Sequence, residues 1–373
     1  MDKNYTTITL DTSVFDGNHL RLERGLLARM TQFNNSRTKF VITDICVNEL
    51  ISHLDDKVRT SKVELEKALD EANEHLFYDG SELNEAKKLL VDSESISDLV
   101  HRRVERFLKK TGAEIIVTED FVSLAEVTER YFKAQPPFSS VGKKKNEFPD
   151  AISLLALEKW AREKGETIYA VSQDNDWYKY CESSELIDCY KNLADALDHF
   201  NRRDIPLHNV KILEQSIVNN RATKFLSQLT RELDSSFSGI FVDQNADSFH
   251  YWDPEGAEVT FDDFSFSNDE FKIIEIEDES IVIEAFLNVE LNVVGWFNLS
   301  QYDSIDRDHV HIGSVEKEVH PNFDVRILIT ITGKLSEEIS SADELEIDSI
   351  EVIDKIDSID FGELSIDYSR DYE

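Results

Sequence analysis

The chain has 373 residues, with 40 Lys and Arg against 76 Asp and Glu, and a formal net charge of -36. That length exceeds what one hydrophobic core usually serves, so two domains are expected. Three cysteines, Cys46, Cys181 and Cys189, make no disulfide framework. No apolar run approaches the roughly 20 residues of a membrane span, so the expected setting is a reducing cytoplasm with no membrane partner.

The acid is unevenly spread: positions 1–200 hold 27 bases and 37 acids, and the remainder 13 and 39. Taken in order, Thr6-Thr7-Ile8-Thr9-Leu10 reads as a short strand ended by Asp11-Thr12-Ser13. The spacing then predicts a helix from about His19 to Phe33 and a strand Phe40-Val41-Ile42-Thr43. Thr43 or Asp44 caps a helix that carries Glu49. Residues 54–110 are charged and almost free of Gly and Pro, with apolar positions at helical spacing. They read as a helical insertion broken near Asp79-Gly80.

Strand character returns at Ala113–Thr118, followed by a helix from Asp120 to Phe132 and a loop at Pro136-Pro137. Pro149 suits a first helical turn, and Asp150 follows it at the head of a helix whose Ile152, Leu155, Ala156 and Trp160 recur at helical spacing. A strand Ile168–Val171 leads to Asp174, then come Leu186-Ile187 and a helix from Lys191 to about Phe200. Strands alternating with helices predict an α/β unit, a parallel sheet flanked by helices.

Ligands in such sheets collect beyond the carboxyl ends of the strands. Asp11 and Asp174 are expected there, and helix starts bring Glu49 and Asp150 to the same rim. Four carboxylates at element ends suit a hard divalent cation, Mg²⁺ or Mn²⁺, which would offset their mutual repulsion. For any one of them, a turn residue or a solvated helix position remains the alternative reading. Lys143, Lys144 and Lys145, in the loop before Asp150, are expected to meet a phosphate backbone, with a solvated basic loop as the alternative. The histidines and cysteines show no metal-ligand spacing, and no Gly-rich phosphate loop occurs.

Together, Leu10-Asp11-Thr12-Ser13-Val14-Phe15, Asn48-Glu49-Leu50, Pro149-Asp150-Ala151 and Val171-Ser172-Gln173-Asp174-Asn175-Asp176-Trp177 resemble the PIN domain nucleases. The helical insertion and the lysine-rich approach to Asp150 resemble a bacterial branch of PIN-like proteins with added C-terminal domains. The resemblance covers roughly residues 5–200. It implies Asp11, Glu49, Asp150 and Asp174 as catalytic metal-binding acids, Asp176 as a fifth ligand, and Ser172 as a residue near the last acid that holds a carboxylate, a water or the substrate. It also implies divalent-metal-dependent hydrolysis of phosphodiester bonds, RNA more than DNA, and a defence or toxin-like role. A catalytically silent nucleic-acid-binding or partner-recruiting protein is the alternative, and another phosphoester hydrolase is a third, since fold alone does not decide chemistry.

Beyond the nuclease-like region, 1–203, a helical connector is expected over 204–236, with an amphipathic helix from Val210 to Leu233. From 237 to 373 the period changes to two, as in Phe271–Ile276, Ile281–Phe286, Val325–Thr330, Leu345–Asp348 and the acid-spaced Asp354–Asp367. This predicts an acidic, mainly β accessory domain. Its acids either guard sheet edges or meet a basic partner, and it is the expected surface for a protein partner or self-association.

Overall fold

The computed structural model describes residues 3–76, 81–90, 94–138, 147–202, 204–268, 270–304 and 307–365. The chain divides into two compact units, Met1–Ala196 and Leu197–Glu373.

The first unit is built on five parallel strands: β1 (Thr7–Leu10), β2 (Lys39–Thr43), β3 (Glu114–Ile116), β4 (Ile168–Val171) and β5 (Ile187–Tyr190). Their order is β3-β2-β1-β4-β5. Every residue of β1 and β4 is buried, as expected where helices cover both faces of a parallel sheet. The register places Leu10 beside Val171 and Thr9 beside Val41. The chain lays down β1, β2 and β3 in one direction and returns to add β4 and β5 on the other side of β1. The carboxyl ends of β1 and β4 therefore flank the point where strand order reverses.

Helix α1 (Thr12–Gly17) starts directly after β1, and the single helix expected over His19–Phe33 does not form. His19 and Leu20 take left-handed backbone (φ 58° and 56°), and their amides bond back to Asp16 and Phe15, closing α1. A short α2 (Gly25–Ala28) and a 3₁₀ turn, Arg29–Phe33, follow. The apolar spacing was real, because Leu20, Leu22, Leu26, Leu27, Met30 and Phe33 are all buried, but it serves a compact coil.

Helix α3 runs from Asp44 to Leu76 with no Gly or Pro to stop it, so the Glu49 helix and the start of the helical insertion are one element. The expected break at Asp79-Gly80 lies outside the described residues. Helices α4 (Ser81–Leu90) and α5 (Ile96–Thr111) complete the excursion; α5 is capped by Ser95 and stopped by left-handed Gly112. Helix α6 (Leu124–Lys133) begins at the Ser123 cap, later than Asp120, which ends a 3₁₀ turn. Helix α7 (Phe148–Lys164) carries Pro149 in its first turn, and α8 (Asn175–Cys181) and α9 (Leu193–Asn201) follow β4 and β5.

In the second unit the helix expected over Val210–Leu233 is two, α10 (Asp204–Val218) and α11 (Thr223–Phe237), parted where Asn220 turns left-handed (φ 54°). Strands β6 (Asp243–Ser248), β7 (Tyr251–Phe266), β8 (Lys272–Ile276), β9 (Ile281–Asp303), β10 (Asp308–Val319), β11 (Asn322–Gly333), β12 (Leu345–Val352) and β13 (Ser358–Leu364) make a mainly antiparallel region. The alternation seen over Ile281–Phe286 continues to Leu299, giving a strand of 23 residues. On one edge of β9 lie β7 and β8; on the other, β10 and β11 follow it in sequence, interrupted at His320-Pro321. Strand β12 extends the sheet, and β13 pairs in parallel with β6. Phe225, Leu229, Leu233 and Phe237 form the buried stripe of α11 in the same core as Leu287, Leu291 and Phe297. Among the described residues no helix is long and apolar enough to cross a membrane.

Candidate active site

The first unit places Asp11, Asp150 and Asp174 at element boundaries around the β1/β4 reversal, with Glu49 inside α3. Asp11 follows β1 and caps α1; its amide bonds to the carbonyl of Val171 at the end of β4 (2.9 Å). One of its carboxylate oxygens accepts from the Thr12 amide (2.7 Å), and the other from the hydroxyls of Ser13 (2.5 Å) and Ser172 (2.7 Å). Ser172 is fully buried, and its oxygen accepts from the Asp174 amide (2.9 Å), so one side chain ties the two strand ends together. Asp174 caps α8, accepting from the Asp176 amide (2.7 Å).

Asp150 sits in the first turn of α7 and accepts a bond from the indole Nε1 of Trp177, a fully buried residue of α8 (2.9 Å). Glu49 reaches the site from α3, where one oxygen accepts from the hydroxyl of Thr12 (2.7 Å). Helix N-termini favour nearby negative charge, which suits Asp11, Asp150 and Asp174. Asp176 differs in that it forms an ion pair with Lys179 (2.7 Å). Lys143, Lys144 and Lys145 lie outside the described residues.

The electrostatics show how crowded these groups are. Burial, followed by the charges of Asp11, Asp174 and Glu49, pushes the Asp150 carboxyl up to about 7, against a lowering by the Trp177 bond. Asp11 is also raised, chiefly by burial and further by Asp174, although three donors oppose the shift. The thiol of Cys46, hydrogen-bonded to Ser153 beneath the site, is pushed up to about 12 by burial and then by Asp11 and Glu49, which leaves it chemically inert at neutral pH.

The donor set fits a divalent cation. Asp11, Glu49, Asp150 and Asp174 are held by neutral hydroxyl, indole or amide donors, and among the described residues none of the four forms an ion pair. Glu49, Asp150 and Asp174 each keep one carboxylate oxygen that accepts no hydrogen bond from the described residues. The side chains do not close into a finished cage: among the described residues no three His, Cys, Asp or Glu groups stand close enough to hold an ion together. Each carboxylate instead accepts from its own donors. Mg²⁺ in any case keeps several waters and needs only one or two carboxylates.

Comparison with protein families matches residues 8–177 to the PIN domain. The N-terminal region is a PIN domain. Its matched span contains Asp11, Glu49, Asp150, Ser172, Asp174 and Asp176, and it also takes in α4 and α5, so the long helices are internal to the PIN domain. No curated protein and no solved structure gives a significant match. PIN domains are typically nucleases that use divalent metal ions. The residues that organise this PIN domain's acids, Thr12, Ser13 and Trp177, stood in the motifs but had no assigned role. Asp-Thr-Ser after a strand signals a turn. Only the tertiary fold shows that Thr12 serves Glu49, 37 positions away.

Proposed function

We propose that the chain is a divalent-metal-dependent nuclease that hydrolyses phosphodiester bonds, with RNA favoured as substrate. The observation that carries this reading is the set of four acids at the strand-order reversal, held by neutral donors and electrostatically costly without a cation. In this reading Glu49, Asp150 and Asp174 offer their remaining oxygens to Mg²⁺ or Mn²⁺. Asp11, fixed by Ser13, Ser172 and the Thr12 amide, sets the negative field at the centre of the site. When bound, the ion orients and activates the attacking water and offsets charge on the phosphate. Ser172 is a positioning residue that fixes Asp11 relative to Asp174, and Trp177 does the same for Asp150. Asp176 takes an outer role through Lys179 and the Asp174 carboxylate.

The RNA preference, a cytoplasmic setting and a defence or toxin-like role rest on family resemblance. In this reading the acidic β unit is an accessory domain for a protein partner or for self-association. The test is cleavage of labelled RNA and DNA by purified protein with Mg²⁺, with Mn²⁺ and with chelator. Asp11→Asn and Asp150→Asn should each lower cleavage by at least about 100-fold while leaving the fold intact, since Asn keeps the shape and one acceptor but not the charge. Full cleavage by both folded variants would defeat the assignment, as would cleavage that persists in chelator.

A further inference from the structure

Besides Lys143–Lys145, two stretches of this acidic chain are basic, and the fold packs one on the other. Residues 20–38 hold four arginines, Arg21, Arg24, Arg29 and Arg37, against Glu23 alone. Residues 101–112 hold Arg102, Arg103, Arg106, Lys109 and Lys110 against Glu105 alone. Helix α5 carries the second stretch and packs on the first: Phe107 meets Phe15 and Phe40 edge to face at 5.8 and 6.3 Å, and α5 contacts the 3₁₀ turn at Arg29–Phe33. Arg103 forks onto Glu23 with two hydrogen bonds of 2.9 and 2.6 Å, which fixes the geometry of the seam.

A cavity of about 210 Å³ opens at this seam. Leu22, Ala28 and Phe107 give it an apolar floor, and Arg103, Arg106 and Lys110 stand on its rim. These three cations are spaced i, i+3 and i+7 on α5, so they form one stripe. Glu23 also lines the cavity, where it pairs with Arg103 and is acted on at longer range by Arg106; among the described residues Arg106 and Lys110 form no ion pair. A chain with 76 acids that sets three cations against the one acid Glu23 in a cavity lining holds a local positive potential against its own net charge.

We infer that this seam is a phosphate-binding site for a nucleic-acid strand, with Arg106 and Lys110 on the phosphates and the apolar floor against the sugar and base. The inference rests on the reading of the PIN domain as acting on polynucleotide, and it adds a second point of contact that α5 supplies. Phosphate contacts position a strand without reading its sequence, so the site serves binding and register. Arginine and lysine on one stripe suit successive phosphates, the first by its planar fork and the second as a point charge.

The experiment uses the full chain carrying Asp150→Asn, to prevent cleavage, and a fluorescein-labelled unstructured oligoribonucleotide, with free AMP as a separate competitor. Adding Arg106→Gln and Lys110→Gln, which preserve helix propensity on an exposed face, should weaken binding about tenfold. The slope of log K against log salt should fall by about 1.4, two contacts on a single strand. A charge-matched control, Lys164→Gln with Lys211→Gln, should leave both nearly unchanged. If the parent binds the oligonucleotide and the double variant matches it in affinity and slope, this inference fails while the nuclease reading stands. Equal loss in the control also overturns it, because bulk charge then explains the effect. If the parent binds neither RNA nor DNA, the polynucleotide reading itself falls. Displacement of the oligonucleotide by AMP only in the protein with intact Arg106 and Lys110 would identify a single nucleotide as the bound unit.

Discussion

Asp150 lies half-buried among three other acids, and its carboxyl is pushed from 3.8 to about 7. The sign of the consequence follows from proton linkage. Between those two values the folded chain holds a proton that the unfolded chain has lost, so this contribution to stability is complete below about pH 4. It fades as pH rises through 7. A full shift of that size corresponds to ~4 kcal/mol, and partial exposure of the carboxyl reduces the expected effect to about 1–2 kcal/mol. Asp150→Asn should therefore melt close to wild type near pH 4 in chelator and become progressively more stable than wild type toward pH 8. A stability difference that is flat across that range would show that Asp150 is solvated and uncrowded. The sequence exposed this residue because Pro149-Asp150 marks a helix start, and Asp11 because it ends an apolar run. It did not expose Trp177 as the donor to Asp150, since a tryptophan at helical spacing signals core and its indole N–H has no sequence signature.

At the scale of elements, β9 is the clearest case of a pattern continuing beyond its visible part. Its buried alternation includes a position without a side chain: Gly295 lies between Val293 and Phe297, and a Cβ added there would stand 2.5 Å from the Phe361 ring of β13. Phe361 in turn meets Phe297 edge to face at 5.0 Å, so β13 docks through a ring that needs the gap. Gly295→Ala should destabilise the second unit by about 1–3 kcal/mol through overpacking. Phe361→Leu in the same chain should restore part of the loss, and an additive pair of effects in chemical denaturation would refute the steric account. Period-two patterning made these strands legible, but the pairing of β13 with β6 was not, because register across more than a hundred residues is set by packing such as this. The same limit explains the His19–Phe33 segment. Its apolar spacing fits a helix, and the left-handed turn at His19-Leu20 comes from closing α1, which no local pattern announces.

At the scale of the whole molecule, the two units differ in what should stabilise them. The core that runs from Val210 to Leu364 draws on the second unit alone, whereas the four acids belong to the first. A cation that binds the folded acids and not the unfolded chain raises stability by mass action, and it must displace the proton that Asp150 retains near neutrality. Calorimetry of the full chain should accordingly resolve two transitions, with Mn²⁺ raising one and leaving the other nearly in place. Gly295→Ala should lower only the transition that Mn²⁺ leaves alone. The Mn²⁺ shift should be small at pH 5.5 and grow by several degrees toward pH 8, since proton competition weakens as pH passes about 7. In Asp150→Asn that pH dependence should flatten, because the proton being displaced is gone along with one ligand charge. A Mn²⁺ shift that is independent of pH, or unaffected by Asp150→Asn, would place the bound ion away from these acids and leave their crowding without a cation to explain it.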